Sequence, residues 1–480
     1  MAWLHAVPAR SKGSRWLCQT AALPLGCSRG RRPLCCRSRP LRYATCLLLA
    51  WACCTGVDGR VSAQSTAQIP LQFDFLNPGA RSLAMGGAFV GAADDATAAF
   101  ANPAGLARLS TKEVSAEGRF RQIETRFLQG GRVSGTVTGI GLDTIAGPSY
   151  ATDSDRRMSP AFLSFLAPVG SVTVAAYRHE AVAIENTFFS DGVFSRATFA
   201  GVTDDRNRDL PLGGTRRVNI SDYGGAVGVR LGEQLSLGGG VSVYTFKLAA
   251  SFARNSFVSD VFSPSDRSIV LATATQDGDS VAVSANVGAQ YALRSDLKIG
   301  AQVRRGPRFD FTQHDVVRSS GIDLTRAGRF KVPDVASVGV EWRIRSTVRV
   351  LADYTRVQYS QLKKDFIDIQ ALSSGRQDQL RIDNGNEVHG GVEYVLLGLP
   401  KPTALRVGAW FDPDHAVRYI PTAANDAVDV LLRATLPGGE NLVHYTFGAG
   451  VALTNRIEFN AGADLSRRTT YVTASGVVRF

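Results

Sequence analysis

Over residues 235–246 the chain alternates. Leu235, Leu237, Gly239, Val241 and Val243 fall on one face, and Ser236, Gly238, Gly240, Ser242 and Tyr244 on the other. The same two-residue period sets Leu297, Ile299, Ala301 and Val303 against Lys298, Gly300, Gln302 and Arg304. It also sets Ala336, Val338, Val340 and Trp342 against Ser337, Gly339, Glu341 and Arg343, and Ile457, Phe459, Ala461, Ala463 and Leu465 against Glu458, Asn460, Gly462 and Asp464. Successive strand side chains point to opposite faces, so each segment is apolar on one side and polar or charged on the other. A soluble sandwich alternates too, but its strands average about 5–6 residues, whereas a tilted membrane strand needs about 9–11.

Strands are expected at 112–126, 159–167, 171–183, 217–231, 235–249, 280–293, 297–311, 333–344, 347–358, 386–396, 403–412, 443–454, 456–466 and 469–480. These are fourteen, an even number, as a single-chain bacterial barrel requires. Their connections alternate between short turns, such as 232–234 and 294–296, and long loops at 127–158, 184–216, 250–279, 312–332, 359–385 and 413–442. Short turns at one end and long loops at the other mark an outer-membrane barrel. The fold class expected is therefore an all-β transmembrane antiparallel β-barrel. The chain finishes on Phe480, with Val478, Gly476, Ala474 and Val472 on its face, the usual terminal signature of such barrels and an address for the barrel-assembly machinery. Trp342, Tyr354, Phe411 and Tyr445, near strand ends, are candidates for interfacial girdles.

Composition changes the picture at the front of the chain. All seven cysteines, Cys18, Cys27, Cys35, Cys36, Cys46, Cys53 and Cys54, precede residue 55. A short apolar run at 44–54 and the small residues Val61-Ser62-Ala63 before Gln64 give residues 1–63 the character of an export leader, with a true start possible near residue 41. The net charge of +12 belongs mostly to this leader: its ten bases and one acid, removed, leave 44 bases against 41 acids. No basic face remains for nucleic acid. No apolar stretch approaches the ~20 residues of a membrane helix.

Residues 64–111 do not alternate and are rich in Gly and Ala. About 48 residues ahead of a closed barrel fit most simply inside its lumen, where small residues pack closely and Gly-Gly and Asn-Pro steps make bends. Gly86-Gly87 is no dinucleotide loop, since no βαβ unit surrounds it. Asp94 and Asp95 suit helix capping or pairing with lumen arginines better than a Ca²⁺ site. His179, His314, His389, His415 and His444 lack metal-ligand spacing, and no catalytic set converges, so neither metal, cofactor nor enzymatic activity is expected.

Gly86-Gly87-Ala88-Phe89, Ala93-Asp94-Asp95-Ala96 and Asn102-Pro103-Ala104 resemble the N-terminal hatch of the FadL/TodX family of outer-membrane transporters for long-chain fatty acids and other hydrophobic compounds. Residues 160–170, 333–342, 405–408 and Asp412-Pro413 extend the resemblance over 70–480. It implies a hatch at 64–111, a barrel at 112–480, and passive uptake in which ligand is caught by outer loops, enters a lumen pocket and leaves sideways into the bilayer near a kinked third strand. In this chain 171–183 holds no Gly or Pro, so Arg178, His179 and Glu180 would have to supply the irregularity. Phe252, Phe257, Val261 and Phe262 are the candidate ligand contacts, as an apolar catch on the loop 250–279. Arg304, Arg343, Arg349 and Arg406 are lumen cations that could meet a carboxylate. The expected partners are a hydrophobic small molecule and outer-membrane lipid, with the protein a monomer. Two other functions stay open: a secretion-associated or structural barrel of the same fold (PorV-like), and an outer-membrane hydrolase.

Overall fold

The structure is a computed structural model that describes residues 75–199, 201–209, 211–363, 377–423 and 426–480. The leader, with its cysteines and cleavage site, and residues 64–74 lie outside the described residues.

Fourteen antiparallel spans close into one ring. In chain order they begin with β1 (Glu113–Arg132), β2 (Gly147–Val169) and β3 (Val172–Ser190). A small hairpin follows, β4 (Val193–Phe199) and β5 (Val202–Asp209), beyond the end of β3. Then come β6 (Leu212–Leu231), β7 (Leu235–Phe257) and β8 (Ser265–Arg294). Two spans are broken in the middle: the seventh into β9 (Leu297–Arg304) and β10 (Arg308–Val317), the eighth into β11 (Ile322–Lys331) and β12 (Val335–Arg345). After β13 (Val348–Val357), the short strands β14 (Leu380–Arg381) and β17 (Arg418–Tyr419) pair with each other outside the ring. The remaining wall is β15 (Gly385–Leu396), β16 (Thr403–Asp412), β18 (Leu442–Ala452), β19 (Ile457–Leu465) and β20 (Thr469–Arg479). The ring closes where β20 pairs with β1 from Glu113↔Arg479 to Ile123↔Thr469. Closure leaves no strand edge to be satisfied by lipid. Phe480 lies just past this junction, its N–H bonded to the Lys112 carbonyl at 2.9 Å.

The outward face carries the apolar positions expected from the alternation. Val241, Val243, Val283, Val287, Val303, Val338, Val340, Val407 and Phe447 are all exposed, and Trp342, Tyr354, Phe411 and Tyr445 lie exposed toward strand ends. The inward face differs from the expectation of a polar lumen. Near the short turns it is charged, with Glu113, Lys298, Glu341, Glu393 and Arg406 buried. Toward the long loops it becomes apolar: Phe127, Phe188, Ile220, Phe246, Leu248, Phe252 and Phe309 form one buried cluster. The first eight spans also run far past the expected boundaries. Residues 250–257 belong to β7 and 265–279 to β8, so the expected 250–279 loop shrinks to the tip between Phe257 and Ser265.

The stretch before β1 folds as two short helices, α1 (Ala80–Ala84) and α2 (Ala98–Ala101), and a 3-10 turn at Pro103–Arg108. Gly86 and Gly87, at φ +68° and +76°, end α1 in the left-handed region that favours glycine, and the Gly87 N–H returns to the Ser82 carbonyl at 2.9 Å. Asn102 caps the 3-10 turn, accepting from the Ala104 N–H at 3.2 Å, with Pro103 at its first position.

Candidate functional site

The buried segment 76–106 is held by inward-facing side chains from several sides of the ring. Glu117 on β1 accepts the Gly79 N–H at 2.7 Å. Asp353 on β13 accepts the Phe89 and Val90 N–H groups at 2.6 and 2.8 Å. Thr446 on β18 accepts the Gly86 N–H at 2.8 Å, and Gln302 on β9 donates to the Phe100 carbonyl at 2.9 Å. The backbone comes so close that glycine is required opposite it. A Cβ on Gly238 would stand 2.2 Å from the Pro103 carbonyl carbon, and one on Gly408 2.5 Å from the Gly86 nitrogen.

Charge holds the same segment. Arg81 donates to Asp94 at 2.6 Å and reaches Glu393 on β15 at 3.3 Å, and Arg349 on β13 meets Asp94 at 2.8 Å. Burial alone would raise the Asp94 carboxyl, but Arg81 and Arg349 outweigh it and hold the group well below the usual carboxylate range. Burial does raise neighbouring Asp95, whose Oδ1 accepts from the Thr97 N–H and hydroxyl at 2.9 and 2.5 Å. Asp94 thus meets two arginines, while Asp95 closes a turn on Thr97 ahead of α2, a helix without a side-chain cap bond. Among the four lumen arginines, Arg349 is the one bonded to this segment; Arg406 pairs with Glu393 at 2.7 Å, Arg343 with Glu341 at 2.8 Å, and Arg304 lies over the Phe100 ring at 4.1 Å.

The wall is interrupted beside this segment. β2 and β3 pair only from Phe162↔His179 to Val169↔Val172. Beyond that point β2 continues on β1 and β3 continues on β6 without touching each other's ladder. The separation starts at two facing bulges, Ala161 skipped in the β1–β2 register and Ala181 skipped in the β3–β6 register. The irregularity expected near Glu180 is present, and it is an alanine bulge rather than a Gly or Pro kink. Side chains stitch the seam in place of the ladder: Ser159 donates to Glu180 at 2.6 Å, Asp155 accepts the Glu185 N–H at 3.1 Å, and Asp153 accepts the Thr187 N–H at 3.2 Å. Arg178 bonds the Pro160 carbonyl across the gap. Without these carboxylates the open edge would carry unsatisfied N–H groups, each costing several kcal/mol in hydrocarbon.

Three small adjoining cavities run inward from this seam. The first is lined by Ala161, Glu180, Ala181 and Arg121, and shares Leu76, Arg119, Glu180 and Ala181 with the second. The second passes Phe100, His179, Tyr244 and Arg304, and shares Phe75, Leu76 and Arg304 with the third. Three of the lining side chains, Arg121, Arg304 and His179, are more than nine-tenths buried. Arg121 Nε and Nη2, Arg304 Nη1 and His179 Nδ1 have no hydrogen-bond partner among the described residues. Buried polar groups of native proteins are nearly always bonded, and these atoms lie on two adjoining cavities, those of Arg121 on the first and those of Arg304 and His179 on the second.

Of the four residues of the expected loop catch, Phe257, Val261 and Phe262 gather around Arg208 and Phe194, and Phe252 lies apart from them. Phe252 is fully buried inside the barrel, Phe262 stacks on Phe194 at 5.7 Å, Phe257 lies under Arg208 at 4.9 Å, and Val261 offers its carbonyl to Arg208 at 3.0 Å. Exposed apolar side chains occur instead at Ile140, Leu142 and Ile145 of the first long loop, where the Leu142 N–H bonds the Phe262 carbonyl at 3.1 Å.

A closed fourteen-stranded ring with an apolar outer belt, its lumen occupied by a buried N-terminal segment, defines an outer-membrane barrel of the transport class. The chain belongs to the outer membrane protein transport protein family (OMPP1/FadL/TodX), whose model matches residues 63–414. Solved structures give the same fold at low identity. A Pseudomonas aeruginosa FadL homologue superposes with TM-score 0.59 at 11% identity, over 86% of this chain and 100% of that one. The P. putida toluene transporter TodX does so with TM-score 0.56 at 14% identity, over 85% and 99%. The CymD monoaromatic hydrocarbon channel gives 0.52 at 12%, also over 85% and 99%. No curated protein sequence matches the chain.

Proposed function

We propose that this barrel takes up long-chain fatty acids or closely similar hydrophobic acids through the outer membrane. Segment 75–111 acts as the hatch that blocks the lumen, and the β2–β3 seam acts as the side exit. The observation that carries the reading is the cavity behind the seam, with unpartnered nitrogens of Arg121 and Arg304 among apolar walls. An acid headgroup supplies an acceptor for these nitrogens; Arg121 Nη1 already lies 3.7 Å from Glu180. The alkyl chain then lies along the apolar inner wall of Ile184, Phe246 and their neighbours, where each buried CH₂ contributes roughly 0.8 kcal/mol. Ile140, Leu142 and Ile145 form the outer landing patch. Exit through the wall keeps such a ligand out of water on the far side.

A second reading, uptake of neutral monoaromatic compounds, is favoured by the aromatic lining at Phe75, Phe100 and Tyr244 and by the toluene and monoaromatic hydrocarbon carriers among the structural relatives. Binding to the purified full chain separates the two. Oleate is expected to bind more tightly than toluene, and Arg304→Leu with Arg121→Leu to weaken oleate by roughly 10- to 150-fold, the worth of about 1.5–3 kcal/mol for a charge-assisted bond. Toluene affinity should not move. If toluene binds as well as oleate and the double variant leaves oleate untouched, the acid assignment is wrong.

A further inference from the structure

A second interruption of the wall lies between the sixth and seventh spans. Ladder pairing holds at Asn286↔Arg304 and resumes at Asp277↔Thr312. Between them, 278–285 of β8 and 305–311 have no ladder partners in each other. Among the described residues the bonds across this stretch are Arg305 N–H to the Ala285 carbonyl at 3.1 Å and the Ser284 hydroxyl to the Arg305 carbonyl, both at its lower end. Seven residues at about 3.3 Å each give an opening roughly 20 Å long.

The sequence dictates this break. Gly306-Pro307 interrupts the seventh span and Pro333 the eighth, and proline cannot donate to a ladder. Gly306 also touches the next span so closely that a Cβ there would stand 2.0 Å from the Val332 carbonyl oxygen. Past the break, Phe309 of β10 and Phe330 of β11 stack on Phe246 of β7 at 4.8 and 5.6 Å. That stack covers the opening from inside, and Val281 and Val283 stand exposed on its outer lip. Asp334 fastens the kink, accepting from Gly306 N–H at 2.7 Å, Lys331 Nζ at 2.6 Å and Gln361 Nε2 at 2.9 Å.

Gly306, Val332 and Pro333 line the same cavity as Arg304, Tyr244, Glu180 and Ala181. One chamber therefore reaches two weak places in the wall, one at each side. We infer that the opening between β8 and the β9–β10 kink is a second side port, through which the alkyl part of the bound compound reaches the bilayer. The two sides differ in chemistry. The β2–β3 seam is stitched by Asp153, Asp155, Ser159 and Glu180, whereas this port has an aromatic inner lip and an outer rim on which Val281 and Val283 of β8 face the exposed Arg305, Arg308 and Asp310. The inference rests on the transport reading above.

Photocrosslinking tests it separately from that reading. p-Benzoylphenylalanine is placed, one site at a time, at Val283 beside the port, at Met158 beside the seam and at Val407 on unbroken wall, and the full chain is loaded with radiolabelled oleate. Labelling severalfold above Val407 is expected at both Met158 and Val283. Met158 labelled with Val283 no higher than Val407 overturns the second port and leaves the transport reading standing. Neither site exceeding Val407 overturns both. Phe309→Ala with Phe330→Ala, which removes the stack, should raise labelling at Val283 and leave Met158 unchanged; unchanged or lower labelling at Val283 counts against the port.

Discussion

Arg81 shows how one side chain ties the segment ahead of β1 to the wall. Its guanidinium satisfies Asp94 and Glu393 together, with Asp95 at 3.8 Å. Removing one partner of a buried pair costs about 3–5 kcal/mol, because the other charge is left buried without compensation. In Arg81→Ala, Arg349 still bridges Asp94 at 2.8 Å and Glu393 at 3.0 Å and Glu393 keeps Arg406, so what is lost is the ionic tie of α1 to both carboxylates. Hydrogen exchange at the Phe89 and Val90 amides is expected to accelerate, and conductance in planar bilayers to rise above that of the native chain. Arg467→Ala is the comparison: its pairing with Glu440 is largely exposed, worth about 0–1 kcal/mol, and its loss should change neither readout. Unaltered conductance in Arg81→Ala would show that Arg81 does not hold the lumen closed. The sequence offered Asp94 and Asp95 as helix caps or partners of lumen arginines, and Asp94 is the one that meets such an arginine. It could not choose Arg349 over Arg406, because that choice depends on which face of the ring the segment meets.

At the scale of elements, the short-turn halves of the strands were legible and the long-loop halves were not. In β7, Val241 and Val243 face out, while Tyr244, Phe246, Leu248, Ala250 and Phe252 face in and are buried. The apolar face switches sides in mid-strand, where the surroundings change from lipid to water and the interior from charged to apolar. A reading that follows one greasy face ends the strand at that switch, which is why 250–279 looked like a loop. The seam had a sequence signal of another kind: Pro160, which marks an edge or bulge, sits inside what proves to be a long strand. Local capping, by contrast, needs only neighbours. In the last long loop α3 (Ala427–Thr435) starts with a reciprocal capping box between Asp426 and Asp429. Asp429 is buried and also accepts from the Thr422 N–H at 3.1 Å and from the Tyr419 and Thr422 hydroxyls. Burial pushes its carboxyl up, but these bonds outweigh burial and hold it below the usual range. A depressed folded value means the stabilisation is present above the ordinary carboxylate pKa of about 3.9 and is lost as pH falls toward the folded value. A spin label at Arg433 should therefore be immobile at neutral pH and gain mobility only in strong acid, whereas Asp429→Asn should be mobile throughout. A label equally immobile in both proteins would refute the capping role.

Across the whole molecule, the interior has two chemistries arranged along the barrel axis, and the proposed side exit is argued from that arrangement. Toward the short turns the lumen is closed by the segment packed on wall glycines and by the charges of Glu341, Lys298, Arg349, Glu393 and Arg406. An alkyl chain driven that way would meet buried ion pairs instead of an apolar wall. Toward the long loops the lumen is apolar and continuous with the cavity at the β2–β3 seam. On the proposed reading, sideways passage follows when the seam's side-chain stitches part. Cysteines at Ser159 and Glu180, whose side chains bond across the seam at 2.6 Å, can be bridged with a short reversible bis-methanethiosulfonate. The pair would be unique from residue 55 onward, since all seven native cysteines precede it. Bridging is expected to leave oleate binding to the purified barrel within error of the unbridged protein and to slow oleate uptake by cells severalfold, with dithiothreitol restoring it. Full uptake through a bridged seam, with binding intact, would mean that the compound leaves elsewhere; loss of binding as well would place the headgroup site in the seam rather than at Arg304.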